Sequence, residues 1–234
     1  MFEQRSYQPE LMDDLQLASE DLRKNLDELE LINTLLGGYQ VVLSALKTLV
    51  KQQQIRLEQP LRIADCGSGG GDTLRKIASW LAKYKHQWQL IGFDANQFML
   101  DYATQKAAKF SGIRFEQADI FTEGFTKQQF DVILCSLFCH HFTDKQLVEM
   151  FSNFRKQSKI LIINDLHRHW FAYYSIYWLT RLLGGSYLVR HDAPLSVWRA
   201  FRRTELESLL KEAGYQEFTV KWFWAFRYQV IAKA

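Results

Sequence analysis

The sequence predicts an α/β fold: a doubly wound, seven-stranded, mostly parallel sheet with an N-terminal helical lid and a helical insertion after the fifth strand. Three observations carry this reading. From Leu61 onward, short apolar runs alternate with amphipathic stretches, and each run ends in a polar cluster. The first run, LRIADCGSGGG, passes from a strand into Gly67, Gly69 and Gly71, with a helix starting at about Asp72. The last residues alternate twice, through Phe218, Val220 and Trp222 and then Phe226, Tyr228, Val230 and Ala232, which reads as an antiparallel hairpin.

The 234 residues suffice for one large domain with an appended lobe, read here as a lid over residues 1–54 and a ligand-binding domain over 55–234, with the insertion at 166–202. Composition is ordinary for a globular chain apart from its aromatics, 17 Phe, 10 Tyr and 7 Trp, many in the last third. A net charge of +3 is too mild to argue for nucleic acid. Cys66, Cys135 and Cys139 lack C-x-x-C spacing and read as small core residues in a reducing cytoplasm, the expected location. The opening MFEQRSYQPELMDD has no basic start followed by an apolar run, so no secretion signal is expected. No long uncharged apolar window occurs either, so no membrane span is expected.

Taken in order, residues 1–9 are polar and expected to be loose until tethered. Ser19 is a good N-cap for a helix striped by Leu22, Leu26, Leu29, Ile32 and Leu36, which Gly37 and Gly38 end. A second helix is expected from Tyr39 to about Lys51, and QQQIRLEQP is a polar connection to the first strand. These helices either cover one sheet face or form a lid that brings Gly37–Tyr39 near a ligand. Glycines after the first strand permit a sharp turn and let a ligand approach bare backbone, at the edge where open α/β sheets bind nucleotides.

Leu74, Ile77, Ala78 and Leu81 give the helix that follows, and the second strand, from Trp88 to Phe93, ends in Asp94. A carboxylate there has two acceptor oxygens for two vicinal ribose hydroxyls, the other reading being a capping or salt-bridging aspartate. Phe98, Met99, Tyr102 and Ala103 form the next inner helix face, and the strand through Ile113 and Phe115 ends at Asp119-Ile120. A short polar side chain there suits an adenine amine, with the apolar neighbour packing on the ring. FDVILCSLF, the fourth strand, is the continuous apolar run that burial on both faces produces. Cys139, His140, His141 and Phe142 follow, then Thr143 or Asp144 as cap of a helix with Leu147, Met150 and Phe151 inward. KILIIND makes the fifth strand, ending in Asn164-Asp165, and TELESLLKEAGY is a capped helix before the hairpin.

This ordered set resembles the class I S-adenosylmethionine-dependent methyltransferases. Asp65 to Gly71 is similar to their first motif, Asp94 to their ribose acid, Asp119-Ile120 to their adenine contact and FDVILCSLFCHHF to their fourth-strand motif. The G-x-G-x-G spacing separates the chain from the dinucleotide oxidoreductases, whose fingerprint is G-x-G-x-x-G. The resemblance implies S-adenosylmethionine as cofactor, held by Asp65, Gly67, Ser68, Gly69, Asp94, Ala95, Asp119, Ile120 and Ser136. L-G-G in the lobe, H-H-F after strand four and N-D-L-x-R after strand five are similar to the small-molecule methyltransferases of quinone and polyketide tailoring.

Such an enzyme would methylate a hydroxyl of a small aromatic or polyketide-like acceptor. In-line transfer needs alignment, and a hydroxyl acceptor benefits from a base, for which histidine is suited. His140, His141 and His167 follow strand ends and are the candidates, each with a structural reading beside the catalytic one; His169 and His191 are weaker. Asp165 orients a histidine, ligates a metal or caps a turn. No metal is expected, the other reading being a divalent cation held by His140, His141, Asp165 and His167.

As a helix, WFAYYSIYW sets Phe171, Tyr174 and Trp178 on one face. That face is either core or, with Tyr39 and Arg168, a substrate pocket. A third reading is peripheral membrane contact aided by Arg168, Arg181, Arg190 and the Arg199–Arg203 cluster. Other functions in play are carbon methylation of a quinone precursor, metal-assisted methylation of a catechol, and cofactor binding without turnover. Base methylation is disfavoured because CSLFCHHF stands where an N-P-P-[YF] motif would be expected.

Overall fold

The apolar runs become central strands because helices cover both of their faces. The computed structural model describes residues 2–57, 60–84 and 87–234, so Glu58 and Gln59 of the polar connection lie outside the described residues. Strands β1 (Leu61–Cys66), β2 (Trp88–Asp94), β3 (Ile113–Gln117), β4 (Phe130–Ser136) and β5 (Ser158–Leu166) run in parallel. β6 (Glu217–Phe223) and β7 (Arg227–Lys233) form the hairpin, with β7 antiparallel to β5. The order β3-β2-β1-β4-β5-β7-β6 makes the chain reverse direction beside β1. The crevice beyond the carboxyl ends of β1 and β4 is therefore the switch point where such sheets take ligands.

Helices α1 (Glu20–Leu35), α2 (Gly38–Lys51), α3 (Asp72–Leu81), α4 (Gln97–Lys106), α5 (Glu123–Thr126), α6 (Asp144–Gln157), α7 (Trp170–Leu182), α8 (Tyr187–Arg199) and α9 (Arg203–Glu212) surround the sheet. One face buries Val42, Leu46, Leu74 and Ile77 against Leu134 and Ile162. The other packs Phe151, Phe154, Leu206 and Leu210 against Phe93, Ile133 and Ile163. The three cysteines lie in this second core, free and buried, and burial pushes the Cys135 and Cys139 thiols well up.

The two roles open for the N-terminal helices divide between them. α2 is a cover, its Val41, Val42, Leu46 and Leu49 buried on the side of β5 and β7. α1 crosses the carboxyl edge of the sheet, packing Leu22 and Leu26 on Met99 and Tyr102 of α4. Ser19 caps it as expected, its hydroxyl accepting from the Leu22 amide at 3.3 Å. Among the described residues no single helix is long and apolar enough to cross a membrane. The pair α1–α2 reaches that length and composition together but is broken by a 62° bend, and its Leu22, Leu26, Val41, Val42, Leu46 and Leu49 are buried in these cores.

Residues 2–9 are not loose. Arg5 is buried, and its guanidinium donates to the carbonyls of Arg199 (2.8 Å) and Phe142 (3.0 Å) and pairs with Asp144. The charge on Arg5 thus fastens the N-terminal segment across the end of the sheet and delivers Glu10 and Asp13 to the edge where the strand tips converge. The insertion consists of α7 and α8, folded over that same edge.

Candidate active site

The glycine turn after β1 is built for close approach. Gly67 and Gly71 adopt φ of 70° and 69°, a region that side chains resist. A Cβ at Gly67 would meet the Phe138 ring at 2.0 Å, and one at Gly71 the Phe115 ring at 2.5 Å. Asp94 braces the turn, its Oδ2 accepting from the Gly69 amide and its Oδ1 from the Asn96 amide, both at 3.0 Å. Each oxygen keeps acceptor capacity for a ligand.

Burial raises the Asp94 pKa against the pull of these amides. It raises Asp65 much further, with the charges of Asp72 and Asp94 adding to it. Tyr39 Oη donates to Asp72 Oδ2 at 2.5 Å, so Tyr39 stands over the start of α3 rather than against the acceptor cavity described below. Among the described residues the buried Ser68 Oγ has no hydrogen-bond partner. Bare glycine backbone, an unsatisfied hydroxyl and three neighbouring carboxyl groups fit a ribose-bearing, positively charged cofactor.

The other expected cofactor contacts border the same crevice unevenly. Ala95 is half-buried beside Asp94, and its carbonyl accepts from Gln117 Nε2 at 2.9 Å. Asp119 is exposed and turns Oδ1 to its own Phe121 amide, while Ile120 is buried in the core. Ser136 Oγ accepts from Asn164 Nδ2 at 2.9 Å, tying the tips of β4 and β5 together.

Beyond β4, Leu137 is held at φ 55° with its amide donating to the Asn164 carbonyl at 2.7 Å. A non-glycine residue in that region is strained, and the bend launches the short turn Cys139–His141. His140 Nδ1 lies 2.7 Å from Asp165 Oδ1, and both residues are buried. His141 Nδ1 lies 2.5 Å from Asp13 Oδ1. Burial pushes Asp165 up, but the His140 charge and hydrogen bond outweigh it and hold its pKa below the usual range. Asp13 behaves likewise: hydrogen bonds from His141 and Arg199 overcome its burial and hold it well below that range.

With Nδ1 engaged, each ring has Nε2 left for other contacts. His140 Nε2 is 3.6 Å from Oε1 of buried Glu10. Burial lifts the Glu10 pKa to about 7, opposed by the charges of His141 and Arg199. Arg199 is itself buried, bonds the carbonyls of His140 (3.2 Å) and His141 (2.8 Å), and pairs with Asp13. It is thus an internal clamp rather than part of a solvated basic cluster.

A cavity of about 540 Å³ opens in front of these histidines. Its walls are apolar, contributed by Leu29 and Ile32 of α1 and Leu36 just after it, by Ile176 and Leu179 of α7, and by the hairpin's aromatics. Few polar groups interrupt them. Asn25 is buried there and, among the described residues, its amide has no partner. Arg227 at the start of β7 donates from Nη2 to Asn33 Oδ1 at 2.8 Å, while its Nε and Nη1 have no partner among the described residues. Burial lowers its pKa to about 10. A Cβ at Gly38 would come within 3.1 Å of this guanidinium, which accounts for glycine in the L-G-G stretch.

Several expected positions are corrected. His167 does not join His140, His141 and Asp165; its backbone bridges to Phe201 and its ring packs near His169 and Tyr228, away from the cavity lining. Burial and the His169 and Arg168 charges lower its pKa to about 4. The four-residue metal set therefore does not converge. Among the described residues it is Glu10, His140 and His141 whose ligand atoms lie within 4.8 Å of one another, with the Arg199 guanidinium 3.8 Å from Glu10.

Arg168 is fully buried in a two-pronged pair with Glu205 and donates to the Ala200 carbonyl, so it binds the fold rather than a substrate. Phe171 does line the cavity, but Tyr174 and Trp178 turn to solvent because α7 offers the cavity Ala172, Ser175, Ile176 and Leu179 instead. His169 Nδ1 caps α7, and His191 is held by Asp192. Sequence reasoning missed Glu10, Asp13, Asn25 and Arg227. Arg227 alone left a signal, as a lone cation opening an apolar strand; Glu10 and Asp13 sit in a stretch without periodicity.

Comparison with known proteins gives the family and the fold. The sequence pattern of a family described as "Methyltransferase domain" matches residues 57–192, more than half of the chain. An uncharacterized methyltransferase of Bacillus subtilis, YcgJ, is 28% identical over 120 residues, which cover 50% of this chain and 44% of that protein. The chain thus spans less than half the length of that relative. Human N-acetylserotonin methyltransferase, solved with S-adenosylmethionine, superposes with a TM-score of 0.62 at 16% identity over 92% of this chain and 55% of its own. The DszA carbon methyltransferase does so at 0.61 and 15% identity, over 82% and 52%. At these identities the two likenesses speak for the fold.

Proposed function

The chain belongs to the methyltransferase domain family, the S-adenosylmethionine-dependent enzymes of the class I fold, and on that premise we propose that it methylates a hydroxyl of a small, largely apolar phenolic, polyketide- or quinone-type molecule. The observation that carries the proposal is the buried His140–Asp165 pair set between the glycine crevice and an apolar cavity.

When bound, S-adenosylmethionine supplies a methyl group on a sulfonium, a good leaving group. Gly67, Ser68 and Gly69 would cradle it on bare backbone, and Asp94 would accept from its ribose hydroxyls. Ala95, Asp119 and Ile120 would stand beside its base, and Asp65 and Ser136 would support the crevice from the tips of β1 and β4. The cavity walls align the acceptor and exclude water. Alignment of this kind is worth roughly 7–11 kcal/mol.

Asp165 accepts from His140 Nδ1–H, which directs the lone pair of Nε2 to the cavity and stabilises the imidazolium that forms. The acceptor hydroxyl gives its proton to His140 Nε2, and its oxygen becomes the nucleophile. Glu10, with a pKa of about 7 and 3.6 Å from that nitrogen, is placed to take the proton onward. Arg227 offers two free donors to an oxygen on the acceptor. The Arg199 guanidinium, 3.8 Å from Glu10 and paired with Asp13, supplies positive charge beside the histidines, and the proposed transfer draws on no cation.

A second reading is favoured by the likeness to a carbon methyltransferase: the same base would remove the proton from an activated carbon. Titration calorimetry with S-adenosylmethionine, followed by turnover against phenols, hydroxyquinones and activated methylene compounds, tests the proposal. Methyl on oxygen supports the first reading and methyl on carbon the second. Failure to bind S-adenosylmethionine would overturn both.

A further inference from the structure

The wall that closes the cavity has an outer side for which the methyl-transfer chemistry gives no reason. α7 is apolar nearly all round, yet only Ala172 and Thr180 are buried along it. One stripe faces the cavity; the adjoining one, Trp170, Tyr174, Trp178 and Leu182, faces solvent, with Leu182 81% exposed. The hairpin tip continues this surface. Trp222 and Trp224 line the cavity and are also exposed, Trp224 at 72%. The tip is held out at a cost, since Ala225 and Phe226 both adopt positive φ, 57° and 54°. Phe171 and Phe226, 5.9 Å apart, join the two pieces. The cavity therefore opens through the middle of an exposed aromatic rim.

The charge on that rim is one-sided. No aspartate or glutamate occurs from Leu166 to His191 or from Phe218 to Ala234, the two segments that build it. Arg181, Arg190 and Lys221 are exposed there, whereas Arg168 and Arg227 are buried. Exposed apolar surface of this extent marks an interaction site. Tryptophan and tyrosine with apolar bodies and polar edges, carried on segments that bear cations and no acids of their own, suit the headgroup layer of an anionic bilayer; Glu28 of α1, which reaches the loop after α7, is engaged by Ser186.

We propose that the rim of α7 and the β6–β7 hairpin docks on anionic lipid, and that the acceptor is a bilayer-dissolved amphiphile whose apolar tail passes from the membrane into the cavity. The cavity's mostly apolar walls, interrupted by polar groups that include His140, Glu10, Asn25 and Arg227, suit a molecule with a small polar head and a long apolar body. This deepens the methyl-transfer reading by naming its acceptor class. The docking itself is independent of turnover.

Co-sedimentation with phosphatidylcholine vesicles, with and without phosphatidylglycerol, tests it directly. Wild-type protein is expected to sediment with the anionic vesicles, with its tryptophan emission shifted to the blue and quenched by brominated acyl chains. The double variant Trp178→Ser, Leu182→Ser, altered only on the outward stripe, should lose most of this binding and keep S-adenosylmethionine affinity. It should also methylate a short soluble phenol like the wild type while losing at least tenfold in rate on a long-chain alkyl phenol embedded in vesicles. Wild-type protein remaining in the supernatant with anionic vesicles would overturn docking. So would a variant that sediments equally well, or a stable wild-type dimer that these substitutions dissolve. Vesicle binding without S-adenosylmethionine binding would instead overturn the enzymatic reading and leave the docking in place.

Discussion

His140 Nδ1 stands 2.7 Å from Asp165 Oδ1, joining the turn after β4 to the tip of β5 inside the protein. The link fixes which ring nitrogen faces the acceptor. His140→Gln is expected to lower turnover by about 10²–10⁴-fold, with S-adenosylmethionine affinity kept. Asp165→Asn should lose a large share of the same factor, because an amide can donate to Nδ1 and favours the wrong tautomer. Rates and calorimetric affinities measured side by side check both, and wild-type rates in His140→Gln would remove the base.

Asp94 carries the glycine turn as well as the expected ribose contact. Asp94→Ala should weaken S-adenosylmethionine binding about tenfold or more, the loss expected when charge-assisted hydrogen bonds go. Unchanged affinity by calorimetry would contradict the ribose assignment.

Glu10 predicts a pH-dependent stability. Its pKa is about 7 in the folded chain against a reference near 4.5, so between those values the folded state holds a proton that the unfolded state has released. Stability is therefore lost as pH rises through this window, and above it the full cost stands, on the order of 3 kcal/mol. Glu10→Gln should melt close to the wild type near the lower end and several degrees higher above pH 8. A melting series across that range checks the sign.

Arg168 separates a structural from a substrate role. Removing its guanidinium leaves the buried Ala200 carbonyl without its donor and takes from half-buried Glu205 its two-pronged partner, although the Arg202 amide stays on Glu205 Oε2, a loss on the order of 1–3 kcal/mol. Arg168→Met should lower the melting temperature markedly and leave acceptor KM unchanged in assays well below that temperature. A raised KM with normal stability would return Arg168 to the substrate site.

Because Arg199 supplies the positive charge beside Glu10 and Asp13, turnover should resist chelators. Equal rates with and without EDTA are expected. Loss of activity restored by a divalent cation would turn Glu10, His140 and His141 into its ligands.

The strand tips were readable in the sequence because period and polarity change together there. Asp65, Asp94, Asp119, His140 and Asp165 all end or follow apolar runs, and the sheet order brings those five runs side by side. Glu10 and Asp13 were not readable, since they belong to no periodic element and reach the histidines through distant partners: Arg5 pairs across the fold with Asp144 and the Arg199 carbonyl, and Asp192 accepts from the Leu11 and Met12 amides. His167 and Arg168 misled for a related reason. They follow β5 closely, but the chain has by then begun to pair with Phe201, and Glu205, the partner that buries Arg168, comes far later. On α7 the stripe of Phe171, Tyr174 and Trp178 was correctly placed along one side of a helix. A helix apolar all round, however, does not reveal which side faces inward.

The most direct test of the account is transfer of isotopically labelled methyl from S-adenosylmethionine to a long-chain alkyl phenol by the wild type and His140→Gln, with cofactor affinity measured on both. Label is expected on the acceptor with the wild type and little with the variant, at equal affinities. Equal labelling by both, or no cofactor binding by the wild type, would contradict it.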